Sequence, residues 1–307
     1  MTKSQIPRTR VVFDLGFGFW GLGFALAVLL ATAACDIKKG DSPTAPSSLP
    51  TPDAPIVYTA IGASDALGIG SSVQCLPFTD CQNGMGYVQV ATRQLRSQGF
   101  TVTLTNLGIP TAVIGRDFQS LGQQHNRTIA GNFVEHEAPF VPANTTLVTI
   151  FAGANDVNTV TAALGGGAGA SDQAGFIDSQ VRAFGADYAT LLAAIRARAP
   201  SPRIVALNLP NLAGLPYLAN VSLPQRQAAQ RLAVGMTTTV INPLVAQNVT
   251  VVDLMCDTRA YQASTYSSDG FHPSDTGYAF MAAEVVRAAT TAYPAPSASC
   301  ARMNVVP

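Results

Sequence analysis

Short apolar segments alternate with longer amphipathic ones from residue 56 onward. Five runs rich in β-branched and aliphatic residues have the length of buried strands: 56–61, 100–107, 146–151, 203–209 and 249–254. Apolar residues at helical spacing predict four helices: 84–98, 172–198, 223–247 and 275–293. Strands separated by helical segments form right-handed crossovers. The pattern therefore predicts an α/β fold, with a five-stranded, mostly parallel, doubly wound sheet of the flavodoxin type and helices on both faces.

The first predicted strand ends abruptly in small residues. Residues 56–61 run directly into the block GASD (62–65), which contains Ser64, and glycines follow at Gly68 and Gly70. Open α/β sheets bind their ligands at the carboxyl ends of the strands, so the Ser64 hydroxyl is expected where a substrate would bind. A serine after a strand is also a common helix cap. Residues elsewhere in the chain are therefore needed to show whether Ser64 is a candidate nucleophile or a helix cap.

A histidine that could activate this serine lies near the end of the chain. Asp269 precedes His272 by three residues in one predicted loop, and this spacing lets the carboxylate fix the imidazole tautomer and stabilise the imidazolium. His125 and His136 have no carboxylate in a comparable position. Because a serine hydroxyl needs a base before it can attack, we expect His272 to serve Ser64, with Asp269 behind it.

Four blocks, residues 62–65, 106–108, 153–156 and 269–273, contribute Ser64, Gly108, Asn155 and His272 in this order. With them the chain resembles the SGNH (GDSL-type) hydrolase family of esterases and lipases, over roughly residues 56–292. The resemblance implies the doubly wound fold, a triad of Ser64, His272 and Asp269, and no metal or organic cofactor. The family usually has Asp directly before the serine, where this chain has Ala63.

The resemblance also implies the groups that stabilise the oxyanion of a tetrahedral intermediate. They are the backbone N–H groups of Ser64 and Gly108 and the side-chain amide of Asn155. A residue without Cβ brings its backbone close to the substrate, and a neutral amide donates without a competing charge.

Three further acidic residues lie near these blocks. Asp65 and Asp156 are expected to cap helices or brace their loops. Asp253, at the end of the fifth predicted strand, is an alternative acid for the triad. It ranks below Asp269, because the family pattern places the acid three residues before the histidine.

These features predict a serine esterase or lipase that hydrolyses carboxylic esters through an acyl-enzyme. An O-acyltransferase would use the same residues, and a non-catalytic scaffold that binds carbohydrate or lipid is the alternative from a different class. Residues 118–142 and 212–224 are expected to line the substrate site. They mix apolar side chains with Asn and Gln, so small-molecule, lipid and carbohydrate esters are all compatible.

The amino-acid composition limits the classes of molecule that are expected to bind this protein. Lysine and arginine together number 18, as do aspartate and glutamate, and charged residues make up only 12% of the chain. No basic run interleaves with aromatics, so nucleic acid is not expected as a partner. Apolar residues make up 48%, enough for the core of one domain at residues 56–307, which we expect to be a monomer.

The first 55 residues follow another pattern. Residues 1–35 join a basic leader to an uncharged, mostly apolar run, as in an export signal. Their end, TAAC, resembles a bacterial lipobox, which would make Cys35 the lipidated first residue of the mature protein; plain cleavage or an uncleaved membrane anchor are the alternatives. Residues 36–55 are rich in Pro, Ser and Thr and predict a linker. Each alternative exports the domain, either tethered to a membrane in the periplasm or at the cell surface, or secreted.

The four remaining cysteines agree with export. An even number of cysteines in an oxidising compartment predicts two disulfides, and three pairings are formally open. Cys75–Cys81 and Cys256–Cys300 are favoured, because each bridge stays within one neighbourhood. There is no C-x-x-C pair and no histidine near any cysteine, so a metal site is not expected.

Overall fold

A computed structural model describes residues 49–307, with the exception of residues 52 and 80. The predicted signal peptide, the lipidation candidate Cys35 and most of the predicted linker lie outside the described residues.

One parallel sheet forms the centre of the domain. Its strands are β1 (Pro55–Gly62), β2 (Thr101–Asn106), β3 (Leu147–Phe151), β4 (Arg203–Leu207) and β5 (Val249–Val252). They lie in the order β2-β1-β3-β4-β5, and every neighbouring pair is parallel. All five residues of β3 are buried, as expected for a central strand covered on both faces. The predicted five-stranded α/β fold is confirmed.

Seven α-helices connect and cover the strands in the described part of the chain. They are α1 (Tyr87–Ser97), α2 (Arg116–Gln124), α3 (Phe133–His136), α4 (Ala154–Gly165), α5 (Gln173–Arg198), α6 (Leu223–Gly235) and α7 (Asp275–Thr290). The chain moves in one direction from β1 to β2 and in the other from β2 to β5, so right-handed crossovers place α1 on the face opposite the helices that connect β2 to β5. Among those connecting helices, α2 and α6 pack against α4, whereas α7, which follows β5, packs against α1.

The periodicity of apolar residues in the sequence predicts only some of the helices. The sequence pattern does not predict α2, α3 and α4, because α2 is mostly polar and buries only Phe118 and Gly122, and α4 consists largely of small residues. The helix predicted over 223–247 is α-helical only to Gly235 and continues as a π-helical turn, Met236–Ile241, and a 3-10 turn, Asn242–Gln247.

Two disulfides tie loops to the domain. Cys75 bonds to Cys81, and Cys256 bonds to Cys300. Structural disulfides are typical of proteins that leave the cytoplasm, which supports an extracellular or periplasmic location. Among the described residues, no helix has the length and hydrophobicity needed to cross a membrane.

Candidate active site

Ser64 lies at the carboxyl end of β1, in a turn that the strand leads into directly. Residues Ser64–Leu67 form one 3-10 turn, which Gly68 closes at φ 74°, in the left-handed region that glycine adopts readily. Ser64 is only 6% exposed. As the first residue of its turn, it has no acceptor within the turn for its N–H, so this donor can serve a ligand.

The imidazole of His272 connects Ser64 to Asp269. His272 Nε2 lies 2.9 Å from Ser64 Oγ, and His272 Nδ1 lies 2.6 Å from Asp269 Oδ2. These three residues are the ones that the sequence predicted to act together, and the fold brings them into one hydrogen-bonded chain. Oδ1 of Asp269 meanwhile accepts from the N–H groups of Phe271 and His272 at 2.8 and 2.9 Å.

These hydrogen bonds keep the Asp269 carboxylate ionised. Its partial burial alone would raise the pKa, but the bonds from His272, Phe271 and Ser267 outweigh that effect and lower the pKa to about 2. A carboxylate on the Nδ1 side of an imidazole holds the proton there and leaves Nε2 as a base. In this structure Nε2 faces Ser64 Oγ.

Gly108 packs directly against the turn that carries Ser64. A Cβ at position 108 would lie 2.8 Å from Ala66 Cβ and 3.1 Å from the Ala63 carbonyl oxygen, so no side chain fits there. The Gly108 N–H donates to Asn106 Oδ1 at 3.1 Å. Asn106 Nδ2 in turn donates to the Ala66 carbonyl oxygen at 2.7 Å. Asn106 thus fixes the loop of Gly108 to the turn of Ser64.

Asn155 lies in the first turn of α4, directly after β3. Its Nδ2 donates one hydrogen bond to the Ala112 carbonyl oxygen at 3.0 Å. Since an amide nitrogen carries two hydrogens, one donor remains for a ligand. The Ala112 contact also connects Asn155 to the loop that begins at Gly108.

A carboxylate that sequence reasoning did not single out supports the end of β1. Glu137 is fully buried, and its Oε2 accepts the Gly62 N–H at 2.9 Å. Burial raises its pKa well above the ordinary value, against the lowering effect of the Gly62 bond. No sequence signal connects residue 137 with residue 62, because the contact spans a whole crossover.

Of the other acidic candidates, Asp65 is buried near His272, and Asp156 and Asp253 have structural partners. Asp65 is 9% exposed, and burial raises its pKa while the nearby His272 lowers it. Asp156 Oδ1 accepts the Ile114 N–H at 2.9 Å and so braces a loop. Asp253 accepts from Asn208 Nδ2 and from two backbone N–H groups, whereas the carboxylate at His272 is that of Asp269.

Two segments expected to line the substrate site contribute unequally. In the segment 118–142, Phe118 and Phe133 are 1% exposed and belong to the core. In the segment 212–224, Leu215 lines an apolar cavity of about 40 Å³, which also reaches the residues on either side of His272. The Tyr217 ring packs edge-on against Phe271 at a centroid distance of 4.9 Å, and Phe271 packs on His272 at the same distance.

Asp156 predicts a pH-dependent stability. Burial raises its pKa from 3.8 to about 7, and the neighbouring Asp187 adds to the rise. Between these values the unfolded chain releases the proton and the folded chain keeps it, so the free energy of unfolding should fall as pH rises, by up to ~1.4 kcal/mol per pH unit. The variant Asp156→Asn keeps an acceptor for the Ile114 N–H and should lose this dependence.

Denaturant unfolding at pH 4.5 and pH 8 would measure the effect. We expect Asp156→Asn to gain stability over the parent at pH 8 and little at pH 4.5. The exposed, ion-paired Asp178 offers the control Asp178→Asn, which should not share the trend. A difference between Asp156→Asn and the parent that is independent of pH would contradict the prediction.

The model of the GDSL-like lipase/acylhydrolase family matches residues 59–280. The chain belongs to this family. The matched region contains the segments of Ser64, Gly108, Asn155 and His272. No curated protein matches the chain.

Solved structures of the same fold include several lipases. The lipase Lip_vut3 from a goat rumen metagenome has 18% sequence identity and a TM-score of 0.53, covering 77% of this chain and 98% of its own. The extracellular lipase from Streptomyces rimosus has 17% identity and a TM-score of 0.51, covering 76% and 100%. A putative GDSL-like lipase from Parabacteroides merdae has 18% identity and a TM-score of 0.51, covering 79% and 98%. At these identities the similarity shows the fold.

Proposed function

We propose that this GDSL-family hydrolase is a serine esterase acting on carboxylic esters. The observation that carries the proposal is the hydrogen-bonded chain from Ser64 Oγ through both ring nitrogens of His272 to Asp269 Oδ2, at 2.9 and 2.6 Å. A buried serine without a base would be inert, and a histidine without the carboxylate would have no fixed tautomer.

The proposed reaction follows from the positions of these atoms. His272 Nε2 takes the proton of Ser64 as Oγ attacks the ester carbonyl carbon, and Asp269 stabilises the imidazolium that forms. The imidazolium then protonates the leaving alcohol, which leaves an acyl group on Ser64. Water, deprotonated by the same nitrogen, releases the acid and regenerates the serine.

The negative charge of the intermediate would be held by three donors. These are the N–H groups of Ser64 and Gly108 and the second amide hydrogen of Asn155. The Gly108 N–H now donates to Asn106 Oδ1, so in the transition state it would be shared with the oxyanion or turn toward it. The N–H of Ser64 and the amide of Asn155, which its bond to the Ala112 carbonyl oxygen orients, would stabilise the charge without such a change, as donors fixed in advance do.

The test uses the exported domain with its disulfides formed. The folded protein should hydrolyse 4-nitrophenyl acetate or butyrate, and a fluorophosphonate should label Ser64, as located by peptide mapping. Longer 4-nitrophenyl esters, tributyrin and acetylated sugars would then separate lipid from carbohydrate esters. Neither turnover nor labelling of a folded protein would contradict the proposal; labelling and acyl transfer to an added alcohol, without hydrolysis, would indicate an acyltransferase.

The amide of Asn155 provides a second test of the same proposal. We expect Asn155→Ala to lower kcat by about 10²- to 10³-fold, because loss of one oxyanion donor has this effect in other serine hydrolases. KM should change little, since the donor acts mainly on the transition state. Steady-state kinetics on 4-nitrophenyl butyrate would measure both constants. An unchanged kcat in Asn155→Ala would remove this residue from the oxyanion hole.

We also propose that the domain is exported and anchored to a membrane through a lipid on Cys35. The two disulfides support export, and the lipobox-like sequence before Cys35 supports the lipid anchor. Mass spectrometry of the protein isolated from membranes would show a diacylglyceryl group on the N-terminal cysteine. A mature protein that begins at another residue would contradict the anchor.

A further inference from the structure

Thr111 has a backbone conformation that β-branched residues rarely adopt. Its φ is 63°, in the left-handed region, where the Cβ of an L-residue lies too close to the carbonyl oxygen that follows. The Ala112 N–H bonds to the Ile109 carbonyl oxygen at 3.1 Å, and this bond closes a β-turn with Pro110 and Thr111 at its centre. Proline followed by a residue of positive φ is the pattern of a type II turn, which favours glycine or asparagine at the second central position. A threonine there is strained.

The carbonyl group that orients a proposed oxyanion donor comes directly after this threonine. Asn155 Nδ2 donates to the Ala112 carbonyl oxygen at 3.0 Å. Because an amide group is planar, the direction of its bonded hydrogen also fixes the direction of the second hydrogen. That second hydrogen is the one proposed to bind the oxyanion. A displacement of Ala112 would therefore turn the donor away from the position where charge develops.

The Thr111 hydroxyl bonds the turn to a neighbouring segment of the chain. Its Oγ1 accepts the Ala130 N–H at 3.0 Å. Further along, the Val113 N–H donates to the Gly131 carbonyl oxygen at 3.2 Å, and the Phe133 N–H donates to the Val113 carbonyl oxygen at 3.0 Å, so the two segments form a short parallel bridge. A glycine would adopt the turn without strain but has no hydroxyl for the contact with Ala130.

The same turn is also bonded to the segment that leads to Ser64. The Ile109 N–H donates to the Gly62 carbonyl oxygen at 3.1 Å, at the end of β1. Ala112 is only 1% exposed, so close packing restricts its position. The turn therefore joins the three segments that carry the proposed oxyanion donors, namely the end of β1, the loop of Gly108 and the start of α4.

We propose that Thr111 is a positioning residue of the oxyanion hole. Its turn and its bond to Ala130 hold the Ala112 carbonyl oxygen where it directs the free amide hydrogen of Asn155 at the substrate. This inference rests on the proposed esterase function and adds a residue to it. Strained backbone persists where the surrounding structure enforces it, and such residues cluster at active sites. Thr111 acts through Ala112 and Asn155 and does not itself bind the oxyanion.

Three substitutions at position 111 separate the contributions of strain and hydroxyl. Thr111→Gly permits the positive φ without strain and lacks the hydroxyl, Thr111→Val keeps the branched shape without the acceptor, and Thr111→Ser keeps the acceptor. The control is Asn248→Gly, because Asn248 also has a positive φ, 62°. It directly precedes β5 and so lies at the opposite edge of the sheet from Ser64. Steady-state kinetics on 4-nitrophenyl butyrate would give kcat and KM, and thermal unfolding would show that each variant is folded.

We expect Thr111→Gly and Thr111→Val to lower kcat by roughly 10- to 100-fold with little change in KM, because a displacement of about 1 Å in a catalytic group has an effect of this size. Thr111→Ser should retain most of the parent's kcat, since it keeps the bond to Ala130. Asn248→Gly should keep the parent's kcat whatever its effect on stability.

A double variant distinguishes positioning of Asn155 from a general structural role. In the Asn155→Ala background, Thr111→Gly should lower kcat further by less than about threefold, because the donor that the threonine positions is already absent. A threonine that only stabilised the fold would act independently of the amide, and the two losses in kcat would multiply. Such multiplication in folded variants would overturn the inference.

Other outcomes would also overturn it and leave the esterase intact. One is a folded Thr111→Gly protein with the kcat of the parent. Another is a Thr111→Ser protein as slow as Thr111→Gly, which would exclude the hydroxyl as the cause. A folded parent that neither hydrolyses any ester nor reacts with a fluorophosphonate would overturn both this inference and the proposed function.

Discussion

Replacing Ser64 by alanine is expected to lower kcat/KM for 4-nitrophenyl butyrate by roughly 10⁴- to 10⁶-fold, the loss seen when the nucleophile of a serine hydrolase is removed. The physical reason is that, in the part of the chain that the structure describes, no other hydroxyl bonds to His272 Nε2, which lies 2.9 Å from Ser64 Oγ. Without Oγ there is no atom to form the acyl-enzyme, and only weak catalysis by the remaining donors would persist.

A second buried serine, just beyond the turn of Ser64, provides the control for this experiment. Ser71 is 9% exposed, and its Oγ donates to the Gly68 carbonyl oxygen at 2.6 Å. Ser71→Ala therefore removes a buried hydroxyl of comparable setting without touching His272, and should lower stability while sparing most of the activity. Retention of activity and of fluorophosphonate labelling in a folded Ser64→Ala protein would disprove the proposed nucleophile.

The sheet could be predicted because each strand has its own local signal. Runs such as TLVTIF at 146–151 are apolar and β-branched over the length of a buried strand, and β3 lies at 147–151. Helices without a clear apolar stripe could not be found in this way. In α4 the residues Ala, Asn, Asp and Thr fit among other helices through their small size, and that depends on neighbours distant in sequence.

In the candidate site, too, some residues can be predicted from a local sequence pattern and others cannot. Asp269 and His272 are three residues apart, so a local pattern contains their contact. Gly108 and Asn155 were predicted from the resemblance to a family, because the family pattern indicates which sequence segments come together in the fold. The residues that support this site could not be predicted from the sequence, because their contacts join distant segments. The hydrogen bond from Gly62 to Glu137, for example, spans 75 residues.

Supporting contacts of this kind determine how firmly the proposed oxyanion donors are held. Asn106 bridges the loop of Gly108 and the turn of Ser64 with two hydrogen bonds. Glu137 holds the end of the strand that leads to that turn. Each is buried, and each bonds to backbone rather than to a substrate position. The family motif thus identifies the groups proposed to react, while their geometry depends on residues outside the motif.

The second large effect is expected from Asp269→Asn, which changes one oxygen to an NH₂ group. Oδ1 of Asp269 accepts from the N–H groups of Phe271 and His272, so an asparagine would keep its carbonyl oxygen on that side. Its NH₂ group would then face His272 Nδ1, which must accept that bond and give up its proton. The proton moves to Nε2, which faces Ser64 and can no longer act as the base.

We therefore expect Asp269→Asn to fold normally and to lose roughly 10⁴-fold in kcat, the loss found for the equivalent change in a serine protease triad. The control is Asp253→Asn, which alters the alternative acid, bonded to Asn208 rather than to His272. Steady-state kinetics would separate the two, since only the change at Asp269 affects the imidazole tautomer. If Asp253→Asn were the inactive variant and Asp269→Asn retained its kcat, the acid of the triad would be assigned to the wrong loop, and the orientation of His272 would need another source.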